Sequence, residues 1–201
     1  MIKLYKKNPN ERLLMEVVEV LKKGELIIYP TDTLYAIGCD ALNARAVEEI
    51  CKFKGIDPKK TNLSIVCDSI SRANEYAKID NRYFSVLKKN TPGAFTFIFN
   101  SNHKLPKVFR GRKNIGIRIP DNEITLSLVR LLDRPLLTTS VRNLKEPDEY
   151  LTYTEEINEQ YKNRISTIID GDECLPQPST IVDCTGEEIK ILREGAGFFR
   201  E

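Results

Sequence analysis

Apolar residues in this chain switch repeatedly between helical spacing and short continuous runs. After Asn10, Leu13, Leu14, Val17, Val18 and Leu21 recur on one helical face, and Gly24 offers a stop. The pattern predicts a helix from Asn10 to about Lys23. Leu26-Ile27-Ile28-Tyr29 follows as a short buried strand. Asn43 can cap a second helix, with Val47, Ile50 and Cys51 inward and an end near Gly55. Leu63-Ser64-Ile65-Val66-Cys67 reads as a strand. Asp80 opens a helix to about Lys89, which Pro92-Gly93 breaks.

The second half repeats the alternation. Phe95-Thr96-Phe97-Ile98-Phe99 and Ile115-Gly116-Ile117-Arg118-Ile119 are β-type runs, the latter stopped by Pro120. Ile124 to Leu132 is helical, and Leu136-Leu137-Thr138-Thr139 is extended. Thr152 and Glu155 fit a capping box for a helix to about Lys162. Thr167-Ile168-Ile169-Asp170, Ile181-Val182-Asp183-Cys184 and Ile189-Lys190-Ile191-Leu192 complete the strands. Thr185-Gly186 suits a turn that would pair the last two as an antiparallel hairpin. The expected architecture is a single α/β domain over residues 1–201. Its twisted sheet is mixed parallel and antiparallel, with flanking helices.

Composition narrows the function classes. Of 201 residues, 41% are apolar and 30% charged, as in an ordinary globular chain. Lys and Arg number 31 and Asp and Glu 29, for a net charge of +2, so any anion site must come from local clustering. Met1 to Lys7 carries no apolar run of signal-peptide length, and no window is long enough to span a membrane. The five cysteines include no C-x-x-C pair, and His103 is the sole histidine. A Cys/His metal site and a Ser/His/Asp triad are therefore not expected, and His103 reads as a solvated loop residue. Reduced, buried thiols in a cytoplasmic protein are expected.

Candidate chemistry gathers where strands run into polar residues. Tyr29-Pro30-Thr31-Asp32-Thr33-Leu34-Tyr35 puts hydroxyls and a carboxylate directly after a buried strand. Thr31 and Thr33 could donate to a carboxylate or phosphate, or could bond their own turn. Arg118 lies between core residues and must face the side opposite Ile117 and Ile119. A guanidinium there suits bidentate anion binding or simple solvation. Thr138-Thr139-Ser140, Ser179-Thr180 and Arg193-Glu194-Gly195 add hydroxyls and a cation at other strand termini, the makings of an anion pocket. Lys104, Lys107, Arg110, Arg112 and Lys113 form a basic segment, either a solvated loop or an RNA phosphate contact.

Tyr29 to Gly38, Tyr-Pro-Thr-Asp-Thr-Leu-Tyr-Ala-Ile-Gly, resembles the Y-P-T-[ED]-T-x-Y-G-x-G signature of the YrdC/YciO family. The best-known members of that family are threonylcarbamoyl-AMP synthases. Later segments agree in order: Thr91-Pro92-Gly93 with Thr96, Ile115 to Pro120, Leu137 to Ser140, Ser179 to Asp183, and Leu192 to Gly195. Asn90-Thr91-Pro92-Gly93 and Pro176-Gln177-Pro178-Ser179-Thr180 look more like the YciO branch. The resemblance implies an α/β fold around a concave, positively charged cavity. It also implies a nucleotidyltransferase that condenses L-threonine, bicarbonate and ATP, with Mg²⁺, into threonylcarbamoyl-AMP and releases pyrophosphate. That product serves threonylcarbamoyladenosine formation at position 37 of tRNA. By the same resemblance, Thr31, Thr33, Tyr35, Arg118, Thr138 and Ser179 belong to the threonine site. Lys54, Ser140, Arg142, Asn143 and Arg193 belong to the nucleotide site, and no protein-bound metal is implied.

Two departures stand out. The family's K-x-R element is Lys54-Gly55-Ile56 here, without the arginine. Its S-x-N element is Ser140-Val141-Arg142, with Asn143 one place late. A one-residue slip in an extended segment turns a side chain to the other face. The expectation is synthase-type binding with low or altered turnover. The alternative is an RNA-binding protein, for tRNA or double-stranded RNA, that uses the same basic cavity without adenylate synthesis.

Overall fold

The computed structural model describes residues 1–57, 63–102, 104–106, 109, 113–171 and 174–200. The chain runs β1 (Ile2–Lys3), α1 (Glu11–Lys22), β2 (Ile27–Tyr29), β3 (Ala36–Asp40), α2 (Ala44–Lys54), β4 (Ser64–Val66), α3 (Ile70–Asn74) and α4 (Asn81–Asn90). It continues with β5 (Phe95–Asn100), β6 (Asn114–Arg118), α5 (Glu123–Leu132), β7 (Leu136–Ser140), α6 (Thr154–Tyr161), β8 (Thr167–Asp170), β9 (Thr180–Asp183) and β10 (Lys190–Arg193). Among the described residues ten strands form one sheet, ordered β1-β8-β2-β3-β7-β4-β6-β5-β9-β10. Pairing is mixed as expected: β4 with β6 and β5 with β9 are parallel, whereas β3 with β7 and β5 with β6 are antiparallel.

Alternating side chains divide the sheet into two packed faces. Ile27, Tyr29, Val66, Leu136 and Ile169 pack with Leu14, Val17, Val18 and Leu21 of α1 and with Ile124, Leu128 and Val129 of α5. Their neighbours Ile28, Ile65, Ile117, Leu137 and Ile168 face the other way. They pack with Val47 and Ile50 of α2, Tyr83 and Leu87 of α4, and Ile157 and Tyr161 of α6. Asn10, Asn43 and Asp80 cap α1, α2 and α4 through side-chain oxygens, as their sequence positions suggest. Gly24 and Gly55, at φ +82° and +62°, close the first two helices.

Several elements depart from the sequence expectation. Ala36–Asp40 is a fully buried strand without alternation, and it continues a polar loop. Gly38 is required there because a Cβ would lie 2.5 Å from Cε1 of Tyr29. The short β1 and α3 carry too little pattern to be read. Thr152 does not cap α6: Tyr153 occupies that position with no side-chain cap bond. The hydroxyl of Thr154 instead donates to Asp170 Oδ1 at 3.1 Å and ties the helix start to β8. β9 and β10 do pair as an antiparallel hairpin, but through the longer loop 184–189. Asp183 Oδ1 closes it by accepting from Thr185 N and Oγ1 at 2.9 and 2.7 Å.

Candidate active site

Register and pleat build an open floor on one side of the sheet. Gly116 and Thr138 both oppose Ser64, and Val66 opposes Arg118. Side chains two residues apart share a face, so Ser64, Gly116, Arg118, Thr138 and Ser140 lie on the face carrying Val66 and Leu136. Thr96 and Ile98 of β5 share it. Helices α1 and α5 cover this face near β2 and β3, and Ser64, Ile98 and Ser140 remain only half-buried. Small residues keep the floor low: a Cβ on Gly116 would lie 2.3 Å from Ser64 Oγ and 3.1 Å from Thr96 Cγ2.

The candidate groups lie at or next to strand ends, as expected, but those ends fall on opposite edges of the sheet. β7 runs antiparallel to β4, so Ser140 sits opposite Ala36, whereas Arg118 sits level with Val66 and Leu136. The groups are related across a sheet face, spanned by long side chains, and not around one rim.

Pro30 ends β2 because it has no N–H for the ladder, and the loop behind it is fastened from below. Thr125 Oγ1 donates to Pro30 O at 2.6 Å, and Asn122 Nδ2 donates to Thr31 O at 3.2 Å. Thr31 is buried, and its hydroxyl donates to Leu34 O at 2.7 Å while accepting from Thr33 N at 3.1 Å. Its chemistry is therefore spent on shaping the turn. Tyr35 is likewise fully buried, and its hydroxyl accepts from Gly171 N at 3.1 Å.

Arg118 is the centre of the arrangement. Nη2 donates to Asp32 Oδ1 at 2.8 Å and to Thr33 Oγ1 at 3.0 Å. The pair is almost dry, with side-chain exposures of 9% for Arg118 and 7% for Asp32. Asp32 Oδ2 also accepts from Asp121 N at 3.0 Å. Arg118 Nε is buried and has no hydrogen-bond partner among the described residues. An unsatisfied buried guanidinium N–H is costly unless an acceptor meets it.

The remaining cations approach from other elements. Lys54, at the end of α2, donates from Nζ to Ser140 O at 3.1 Å. Its pKa is lowered, mainly by burial and then by the charge of Arg142. Arg193 donates from Nε and Nη2 to Ser179 O at 3.2 and 2.7 Å. Burial lowers its pKa too, the Tyr150 phenol raises it, and the charges of Arg118 and Arg142 lower it further. Lys54, Arg118, Arg142 and Arg193 thus share one positive field although they come from four parts of the chain. Ser179 Oγ lies 2.8 Å from Thr96 Oγ1, and Thr138 Oγ1 accepts from Tyr29 Oη at 2.8 Å. Burial pushes the Tyr29 phenol up to about 12 against that hydrogen bond and the charge of Arg118, so it remains a neutral donor.

Asn143 turns away from these groups: its Oδ1 accepts from Lys145 N at 3.0 Å and Gln160 Nε2 at 3.1 Å. Ile56 is half-buried against the core under α2 and offers no charge. Lys104 is exposed and pairs with Glu75 at 3.4 Å. Lys113 is exposed, while Lys107, Arg110, Arg112 and His103 lie outside the described residues. Sequence reasoning noted the Asp32 carboxylate without giving it a role and passed over Asn122, Thr125, Ser64 and Tyr150. Only Asp32 carried a readable cue, a carboxylate between two threonines after a strand-ending proline.

The family model named Sua5_yciO_yrdC and described as Telomere recombination matches residues 19–195. The chain belongs to the Sua5/YciO/YrdC family. The uncharacterized Escherichia coli protein YciO is 36% identical over 194 residues, covering 94% of this chain and 92% of its own. Its crystal structure aligns with a TM-score of 0.90 over 98% of this chain and 96% of that one. A Methanocaldococcus jannaschii protein named as a putative threonylcarbamoyl-AMP synthase is 33% identical over 199 residues, 96% of this chain and 92% of its own. The crystal structure of Pyrococcus abyssi Sua5 complexed with L-threonine aligns with a TM-score of 0.87 at 27% identity. It covers 96% of this chain and 57% of that one. The family thus includes threonylcarbamoyl-AMP synthases, and the α/β fold with its mixed sheet is the family's. No helix among the described residues is long and apolar enough to cross a membrane.

Proposed function

We propose that this protein is a threonylcarbamoyl-AMP synthase that binds L-threonine beside Arg118 and Mg²⁺–ATP across Lys54, Arg142 and Arg193. The observation that carries the reading is the buried Arg118 Nε, which lacks a partner among the described residues. The same guanidinium is already held on its Nη2 side by Asp32 and Thr33. A carboxylate oxygen supplies the missing acceptor, and a zwitterionic amino acid adds no net charge to the site. The threonine-bound Sua5 structure supports threonine as that amino acid. Thr96, Thr138 and Ser179 provide hydroxyls on and beside the floor for a short polar side chain.

The reaction joins two anions. The threonine amine in its neutral form displaces water from bicarbonate to give N-carboxythreonine, whose carboxylate oxygen attacks the α-phosphorus of ATP as the bond to pyrophosphate breaks. Both partners are negative, so the protein's main contribution is fixed positive charge and orientation. Lys54, Arg142 and Arg193 suit that task. Their donors fit phosphate oxygens and not a bare metal, so Mg²⁺ belongs with the nucleotide. The charge absent at Ile56 is supplied in this reading by Arg142, close enough to Lys54 to lower its pKa. Calorimetry with threonine tests the proposal: wild type binds, and Arg118→Lys, which loses Nε and the guanidinium fork, binds at least about tenfold more weakly. Equal affinity in both proteins would remove Arg118 from the site.

A further inference from the structure

The segment after β7 folds into a clasp whose parts hold one another. Asn143 N donates to Glu149 O at 3.0 Å, and Arg142 and Tyr150 form an antiparallel bridge. Leu144 N donates to Gln160 Oε1 at 2.7 Å, and Tyr161 Oη donates to Arg142 O at 2.6 Å. The clasp is thus tied to α6 and is not a free loop. Its product is a stacked pair: the Arg142 guanidinium carbon lies 4.0 Å from the centre of the Tyr150 ring. Among the described residues, the guanidinium donates only through long contacts from Nη1, at 3.5 Å to Pro147 O and 3.3 Å to Asp148 O. Both side chains of the stack are half-buried, so each keeps an accessible surface.

No motif in the sequence marks Tyr150. We propose that the Tyr150 ring, backed by Arg142, is the stacking platform for the base of the nucleotide. This rests on the function proposed above and extends it from phosphate recognition to base recognition. Three physical points support it. A flat aromatic surface backed by a guanidinium matches the flat face of a nucleobase. The clasp is ordered by its own hydrogen bonds, so little conformational freedom remains to be lost on binding. The clasp also starts two residues after Ser140, whose carbonyl accepts from Lys54 at 3.1 Å, so the platform adjoins that proposed phosphate-binding cation, and the Tyr150 phenol raises the Arg193 pKa.

The test compares Mg²⁺–ATP with magnesium tripolyphosphate, which has the phosphates and no base, by calorimetry. The wild type is expected to bind ATP more tightly than tripolyphosphate. Tyr150→Ala should weaken ATP by roughly tenfold or more and leave tripolyphosphate within about twofold, whereas Tyr150→Phe should keep ATP affinity. ATP affinity unchanged in Tyr150→Ala would overturn the proposal. So would an equal loss for ATP and tripolyphosphate, because Tyr150 would then only position Arg142. Wild type that binds the two ligands equally would also overturn it. A wild type that prefers ATP in the way described, yet releases no pyrophosphate with threonine and bicarbonate, would leave the platform standing and refute the synthase reading instead.

Discussion

Arg118 and Asp32 form a dry ion pair that links fold stability to the ligand role proposed for Arg118. Removing one member of a dry ion pair leaves the other charge buried and uncompensated. Asp32→Ala is therefore expected to lower the unfolding free energy by about 3–5 kcal/mol, read from the urea midpoint at constant slope. A change below about 1 kcal/mol would mean that water reaches Arg118 freely. Lys54 gives a pH prediction. Its folded-state pKa is lowered by burial and by Arg142, so it loses its charge below the ordinary lysine value of 10.5. The sign follows directly: phosphate affinity is greatest below that lowered value and falls as pH rises through it. Lys54→Arg stays charged in that range and should flatten the alkaline decline. Identical profiles for the two proteins would show that another group titrates.

Elements fix where those residues can reach. Gly38 lets β3 pass beneath the Tyr29 ring, where a methyl group would meet both Cε1 at 2.5 Å and Leu137 O at 3.1 Å. Gly38→Ala should destabilise by about 1–3 kcal/mol and disturb the Tyr29–Thr138 hydrogen bond. Thermal unfolding checks this, and an unchanged Tm would show that β3 can shift at no cost. Helix periodicity and caps made α1, α2, α4 and α5 legible, and continuous apolar runs marked most strands. β3 escaped because burial on both faces removes alternation and because Gly38 and Asp40 look like loop residues. The α6 start was misplaced because Thr154 gives its hydroxyl to β8, a tertiary contact that no local pattern carries. The candidate residues Thr33, Lys54 and Arg118 could be named from motifs. Their relation across a sheet face could not, because it depends on the β4–β7 pairing. Asn143, one place after the family's position, has its side-chain oxygen turned to Lys145 and Gln160.

At the scale of the whole molecule, one half of a sheet face is covered by α1 and α5, and the other half carries the half-buried Ser64, Ile98 and Ser140. The core beneath also sets the state of the thiols. All five cysteines are buried and none forms a disulfide. Burial raises Cys39 and Cys67 far above the ordinary thiol value, and it pushes Cys174 up to about 11 and Cys184 up to about 12. Native protein at neutral pH should thus react with a thiol reagent far more slowly than unfolded protein, in which all five react. Rapid native labelling would place a cysteine in an accessible site.

The central claim, that the cations and the Arg118 pocket act together on threonine, bicarbonate and ATP, is tested most directly by pyrophosphate release with each substrate omitted in turn. Release is expected only when all three are present, with loss of most of the rate in Arg118→Lys and in Lys54→Ala. Folded wild-type protein that releases no pyrophosphate with all three substrates, or that releases it equally without threonine, would contradict it.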